Sequence, residues 1–220
     1  SHDKCCRVFS LVEIKLITHD FDDALVIGKG RFGKVYKGKF NFWEGVNVAI
    51  KWSNLDSNQG TSEFSEEIGM LSKFRHRHIV SLLGYCEDSS TREMILVYEY
   101  MPNESFHHHS YKRKANGRNS SPLTWVQRPN ICIGLDRALD YLYTGIGVES
   151  TLTHHDVKSS NVLLDEKLAA KILDLGLTRK SDVYAFDVVL LETLGGRLAL
   201  NFTLDEKQHS LAGWAKHYIK

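Results

Sequence analysis

No apolar run in this sequence approaches the ~18 residues needed to cross a bilayer, so no membrane-spanning helix is expected. Cysteine is scarce, with only Cys5, Cys6, Cys86 and Cys132. These form no CxxC pair and no His/Cys spacing suited to zinc, so a reducing, cytosolic compartment is the economical reading. Charge of one sign is also lacking. Lys and Arg number 28 against 27 Asp and Glu, which leaves no basic footprint for nucleic acid. The one basic cluster, from Lys112 to Arg118, lies among Asn, Gly and Ser and reads as a solvated loop. There are no internal repeats. An initiating Met and a signal-like apolar segment are both missing, so the chain is expected to be a fragment or part of a longer protein. Adjacent Cys5 and Cys6 fit either an acylation site beside a membrane or a plain exposed tail.

What is present suits a folded domain. Apolar residues make up 42% of the chain and charged residues 25%, enough for a core and a soluble surface. From Leu25 to Lys51 the pattern alternates as strands do, with a Gly-rich turn inside ALVIGKGRFGKVYKGKF and a further strand in VNVAIKW, Val46 to Trp52. Thr61 to Phe74 turns helical, with Phe64, Ile68 and Leu71 on one face and Thr61 or Ser62 as the cap. HIVSLLGYC and EMILVYEYM read as two strands joined by a polar turn. After Met101 a polar, Gly/Pro/Ser-rich stretch marks a boundary, and its triplet His107–His109 reads as surface. Helical spacing returns from Trp125 to Tyr143, where Pro129 is tolerable only within the first turn. A strand-rich half followed by a helix-rich half predicts an α+β fold with two lobes.

Gly28-x-Gly30-x-x-Gly33 by itself also marks dinucleotide-binding folds, where the glycines open a helix. Here the following residues alternate and carry β-branched and aromatic side chains, so the turn belongs to a β-hairpin. Its bare amides could close over phosphates with Phe32 at the tip. Lys51 lies in the apolar strand VAIK; burying its ammonium is costly unless it meets anions. A phosphate pair and Glu67 on the next helix would satisfy it, although an edge-strand lysine would look the same. In LTHHDVKSSNVLLD, Leu152 to Asp165, Asp156 can accept a hydroxyl proton and Lys158 can neutralise a phosphoryl group. Asn161 can hold a metal by its amide oxygen. Asp174 supplies a second hard oxygen, which suits magnesium.

The order Gly-loop, VAIK, helix Glu, H-x-D-x-K-x-x-N and D-x-G resembles the protein-kinase signature set, from about Phe21 to Leu194. Lys158 two residues after Asp156 resembles the serine/threonine kinases. GKGRFGKVYKG, HRHIVSLLGYCED, MILVYEYM, ICIGLDRALDYL and SDVYAFDVVLLETL are similar to plant receptor-like kinases, especially those with malectin-like ectodomains. The resemblance implies a juxtamembrane-like segment over 1–20, a strand-rich kinase N-lobe with hinge over 21–101, and a truncated C-lobe over 102–220. It implies ATP and Mg2+ as cofactors. Its partners would be a protein substrate or a partner kinase, and its place would be the cytoplasmic side of the plasma membrane, attached only through a segment outside this chain. Lys51 would contact the α/β-phosphates and pair with Glu67. Glu99 and Met101 would present hinge backbone to adenine, with Tyr98 as gatekeeper, while Ile27, Val35, Ala49 and Leu163 sandwich the ring. Asp156 would be the catalytic base, and Asn161 and Asp174 the metal ligands.

Departures from the family pattern are equally specific. His155 stands where the family has an Arg that pairs with an activation-loop phosphate. Leu175 replaces the Phe of D-F-G, a mild apolar exchange. Asp187 replaces a helix Gly and is expected to be a buried, costly carboxylate. Between Gly176 and Asp182 only Leu177 to Ser181 remain, so the activation segment, the platform for a peptide substrate, is missing. The chain also ends before the last C-lobe helices of the family. Phosphotransfer, or binding of ATP or a partner without it, are both open on these residues.

Overall fold

The computed structural model describes residues 6–30, 33–40, 45–53, 58–88, 93–111, 123–144, 159–173, 187–194 and 210. The chain divides into two compact units, Ser1–His76 with Val80–Tyr100, and Arg77–Ile79 with Met101–Lys220.

In the first unit, β1 (Arg7–Val8), β2 (Val26–Gly30), β3 (Gly33–Phe40), β4 (Val46–Ser53), β5 (Leu82–Asp88) and β6 (Glu93–Glu99) form one sheet. Its order is β1-β5-β6-β4-β3-β2. All pairings are antiparallel except β1 with β5. Strand alternation gives the sheet two distinct faces. Tyr36 and Phe40 of β3, Val48 and Ile50 of β4, Ile95 and Val97 of β6, and Cys86 of β5 share a buried cluster with Phe9, Ile14 and Ile17. Those last three come from β1's end and from α1 (Leu11–Ile17). The N-terminal segment therefore covers one face of the sheet. Phe9 stacks on Phe40 with ring centroids 5.1 Å apart, and a side chain on Gly84 would collide with the Arg7 carbonyl and the Phe9 ring. Cys6, expected in an exposed tail, is half-buried and donates its S–H to the Leu82 carbonyl. Cys5 lies outside the described residues. Burial pushes the Cys86 thiol up to about 11, which keeps it protonated and unreactive.

Helix α1 starts on a reciprocal cap: Ser10 accepts from the Glu13 N–H, and Glu13 accepts from the Ser10 N–H. The Ser10 backbone N–H above all, then the Ser10 hydroxyl and the Arg7 guanidinium, hold the Glu13 carboxyl below its ordinary 4.5, against partial burial. A lowered carboxylate contributes stability above its unfolded value, and that stability is lost as pH falls through the folded value. Accordingly, Glu13→Gln should lower the unfolding midpoint at neutral pH. The gap from wild type should close as pH drops below about 4.5. A gap constant with pH, measured by thermal unfolding, would contradict this account.

Helix α2 (Asn58–Leu71) begins three residues before the expected start, so Thr61 and Ser62 lie inside it and do not cap it. Its predicted apolar face holds, with Phe64 and Leu71 buried and Ile68 half-buried. The strand expected from His78 starts only at Leu82, because residues 77–79 belong to the second unit. There the His78 carbonyl accepts from the Ile172 N–H, the His78 Nδ1 meets the Ala170 carbonyl at 2.8 Å, and Ile79 bridges Ile172.

The second unit contains α3 (Phe106–Tyr111), α4 (Gln127–Thr144), the hairpin of β7 (Val162–Leu164) and β8 (Ala170–Ile172), and a helix α5 over 187–194. The histidine triplet is not a surface loop. All three lie on α3 half-buried, and His108 meets Glu104 at 2.7 Å. The first turn of α4 is organised by Thr124, which accepts from the Gln127 N–H, while the Gln127 side chain accepts from the Thr124 N–H. Pro129 is the third residue of α4, early enough to be accommodated. Thr124→Ala should cost about 1 kcal/mol of stability, read as a lower denaturation midpoint; an unchanged midpoint would show that the cap contributes nothing. Ile131, Leu135, Ala138 and Leu142 are buried along α4, and Arg128 donates to the Thr193 carbonyl of α5 at 2.7 Å. Asp187, expected to be buried, is exposed on α5, so its carboxylate keeps its water and avoids the desolvation cost. Among the described residues, no helix is long and apolar enough to cross a membrane.

Candidate functional site

The face of the first unit's sheet opposite the buried cluster carries Val35, Ala49 and Lys51. Val48 and Ile50 enter the core, so alternation sends Ala49 and Lys51 to the other side. Cross-strand register forms two rows there, Val35–Lys51–Leu96 and Lys37–Ala49–Tyr98. The Gly-rich turn is a β-hairpin, with Lys29 opposite Lys34 and Gly30 opposite Gly33, and an irregularity between Val26 and Gly28. Glycine is required at 33 because a side chain would strike the Trp52 carbonyl on β4. Ile27 is 48% exposed, an apolar side chain open to an apolar ligand.

Lys51 Nζ donates to both carboxylate oxygens of Glu67, at 2.8 and 3.1 Å. The two side chains keep only 30% and 14% of their exposure. An ammonium carries three donors; two go to Glu67, and the third suits an external anion. On the far side, the Tyr98 hydroxyl donates to Glu67 Oε1, and Tyr98 is buried. Glu67 is thus gripped by residues of two adjacent strands, and the Lys51 ammonium is held in one position. No feature of the sequence marks the Tyr98–Glu67 contact, since the two are 31 residues apart. On the opposite face of β4, against the buried cluster, the Trp52 indole donates to Glu93 and stacks on Phe21.

After β6 the backbone is partly committed. The Glu99 N–H donates to the Ser81 carbonyl, and the Glu99 carboxylate accepts from the Ser81 N–H at 2.7 Å. The Met101 carbonyl accepts from the Glu104 N–H, and the Met101 side chain is buried.

In the second unit Asn161 ends a 3-10 turn, Ser159–Asn161, that leads directly into β7. The β7–β8 register pairs Val162 with Ile172 and Leu163 with Lys171. One step further, the Asn161 carbonyl accepts from the Leu173 N–H at 2.9 Å. Leu173 immediately precedes Asp174, so the hairpin brings Asn161 to within one residue of the chain position of Asp174. Leu163 also bridges Ser105, which ties the hairpin to the segment entering α3. Phe32, His155, Asp156, Lys158, Asp174 and the junction 177–181 lie outside the described residues.

A sequence model of the family described as protein tyrosine and serine/threonine kinase matches residues 24–181. A probable receptor-like protein kinase of Arabidopsis thaliana is 46% identical, over 95% of this chain and 26% of its own length. The Arabidopsis receptor-like protein kinase FERONIA is 45% identical over 98% of this chain and 27% of its own length. THESEUS 1 of the same plant is 43% identical over 97% and 28%. The chain therefore spans about a quarter of the length of the relatives it matches. The first two alignments run over 241 and 248 positions, more than the 220 residues of the chain. The relatives thus carry residues inside the aligned region that this chain lacks, and the family match ends at Ser181. The chain belongs to the protein kinase family, as a kinase domain of the kind found in plant receptor-like kinases.

Proposed function

We propose that the chain binds ATP with magnesium and that its reaction is transfer of the γ-phosphoryl group to a serine or threonine hydroxyl of a protein. The assembled Lys51–Glu67 pair carries this reading, because a fixed ammonium with a donor to spare is what an α/β-phosphate contact requires. By resemblance, Ile27, Val35, Ala49 and Leu163 would offer apolar surface to a base. Gly28, Gly30 and Gly33 leave backbone amides uncovered for phosphates. Glu99 and Met101 would present hinge backbone to adenine, beside the Glu99 N–H and the Met101 carbonyl, which are engaged within the protein. Asn161 and Asp174 would hold magnesium. When bound, magnesium neutralises charge on the phosphate oxygens. Asp156 would orient the substrate hydroxyl and take its proton as the oxygen attacks, and Lys158 would offset the charge on the moving phosphoryl group. The rate gain would come mostly from positioning and charge neutralisation.

A second function, binding ATP or a partner kinase without phosphorylating a substrate, is favoured by the relatives' additional residues. We assign that shortfall to the activation segment between Gly176 and Asp182, the peptide platform. One experiment separates the two. ATP with magnesium at a hundred times its Kd should stabilise the chain by about 2.7 kcal/mol, and phosphotransfer to a serine/threonine-rich protein is assayed on the same sample. A shift with transfer supports the kinase, a shift without transfer supports the binding protein, and no shift removes the kinase and ATP binding alike.

A further inference from the structure

Lys37 is a residue of the sheet's site face that the nucleotide contacts above do not use. It sits in the same cross-strand row as Ala49 and Tyr98. Its ammonium lies over the ring of Tyr100, 4.6 Å from the centroid. Lys37 is on β3, whereas Tyr100 directly follows β6, and β4 runs between those strands. The contact must therefore cross two strand spacings, about 9.5 Å. It crosses in the row where β4 carries only the methyl group of Ala49, which leaves room for a four-carbon stem. Tyr100 is the middle residue of 99–101, whose two outer residues are the proposed hinge contacts for the base. Alternation from Tyr98, whose hydroxyl reaches Glu67, puts the Tyr100 ring on the site face as well. A cation held against an aromatic face at this range is attracted by the ring's quadrupole.

We propose that Lys37, laid across Ala49 onto the Tyr100 ring, is a positioning residue that sets the 99–101 backbone for adenine and so sharpens selection of the base. The inference rests on the nucleotide-binding function proposed above. It concerns base selectivity and not phosphate affinity, so the two can be tested apart.

The test measures Kd for Mg-ATP and Mg-GTP with the full chain as wild type, Lys37→Met, Lys37→Arg and Tyr100→Leu. Wild type should prefer ATP. Lys37→Met keeps the apolar stem, and it should weaken ATP about two- to five-fold while leaving GTP unchanged. Tyr100→Leu should do the same, and Lys37→Arg, which retains a cation over the ring, should restore the preference. Equal weakening of both nucleotides would mean that Lys37 acts as a charge on the phosphates, and would overturn the inference. Unchanged ATP affinity in both Lys37→Met and Tyr100→Leu would overturn it too, as would a wild type that binds both nucleotides equally. A wild type that binds neither would instead overturn the nucleotide-binding function itself.

Discussion

A chain beginning at Phe21 should lose the folded first unit. The absent residues would include Phe9, Ile14 and Ile17, all within the buried cluster. Their departure would uncover Tyr36, Phe40, Val48 and Ile50 on the sheet. Burying one such side chain contributes about 1.5–3 kcal/mol, so the three together contribute roughly 5–9 kcal/mol. A whole domain is stable by only about 5–15 kcal/mol. Some relief offsets this loss. His19, Asp20 and Phe21 are three successive residues in left-handed backbone, each costing about 1–2 kcal/mol. The packing wins, because Phe21 remains anchored between Tyr36 and Trp52 and keeps its share of the strain. The expected result is a markedly lower thermal midpoint, with strong binding of a dye for exposed apolar surface. Phe9→Ala alone should cost about 3–5 kcal/mol. A truncated chain that unfolds at the wild-type temperature would show that the segment is dispensable.

Lys51→Met should abolish any phosphotransfer and most of the stabilisation by ATP with magnesium. Methionine keeps the stem but has no donor for phosphate, and it leaves Glu67 gripped only by Tyr98. Breaking a fully buried ion pair costs about 3–5 kcal/mol. Lys51 retains 30% of its exposure, so water screens part of that, and about 1–3 kcal/mol of stability should be lost. Glu67→Gln separates the two effects. It keeps an acceptor for Lys51 and for Tyr98, so the apo protein should hold most of its stability while nucleotide binding weakens. Unchanged ATP binding and activity in Lys51→Met, measured by titration and phosphotransfer assay, would sink the role given to Lys51.

Much of this protein is readable from residue order alone. Val46 to Trp52 alternates strictly, and only a strand with two different faces satisfies it; that alternation separates Lys51 from the core. Glycine and β-branched spacing around Gly28 to Gly33 forces a hairpin rather than a helix start, because the residues beyond cannot keep a 3.6-residue period. The motif order from Gly28 to Asn161 was enough to imply the kinase family. Other features depended on neighbours far along the chain. Helix α1 has apolar residues at Leu11, Val12, Ile14, Leu16 and Ile17, nearly all round, so no periodicity chooses its inward face. The sheet chose Ile14 and Ile17 and left Val12 and Leu16 exposed. Asp187 was expected inside because its helix is a core element, yet it lies on an exposed part of that helix, and packing with other elements decides which part is covered. The same holds for the grip on Glu67, for Lys37 on Tyr100, and for residues 77–79 joining the second unit. Local sequence determines which chemistry a segment can carry and which face is apolar when the pattern is one-sided. Only tertiary packing decides which long-range partner meets each polar group, since a hydrogen bond or ion pair needs geometry that spacing along the chain does not encode.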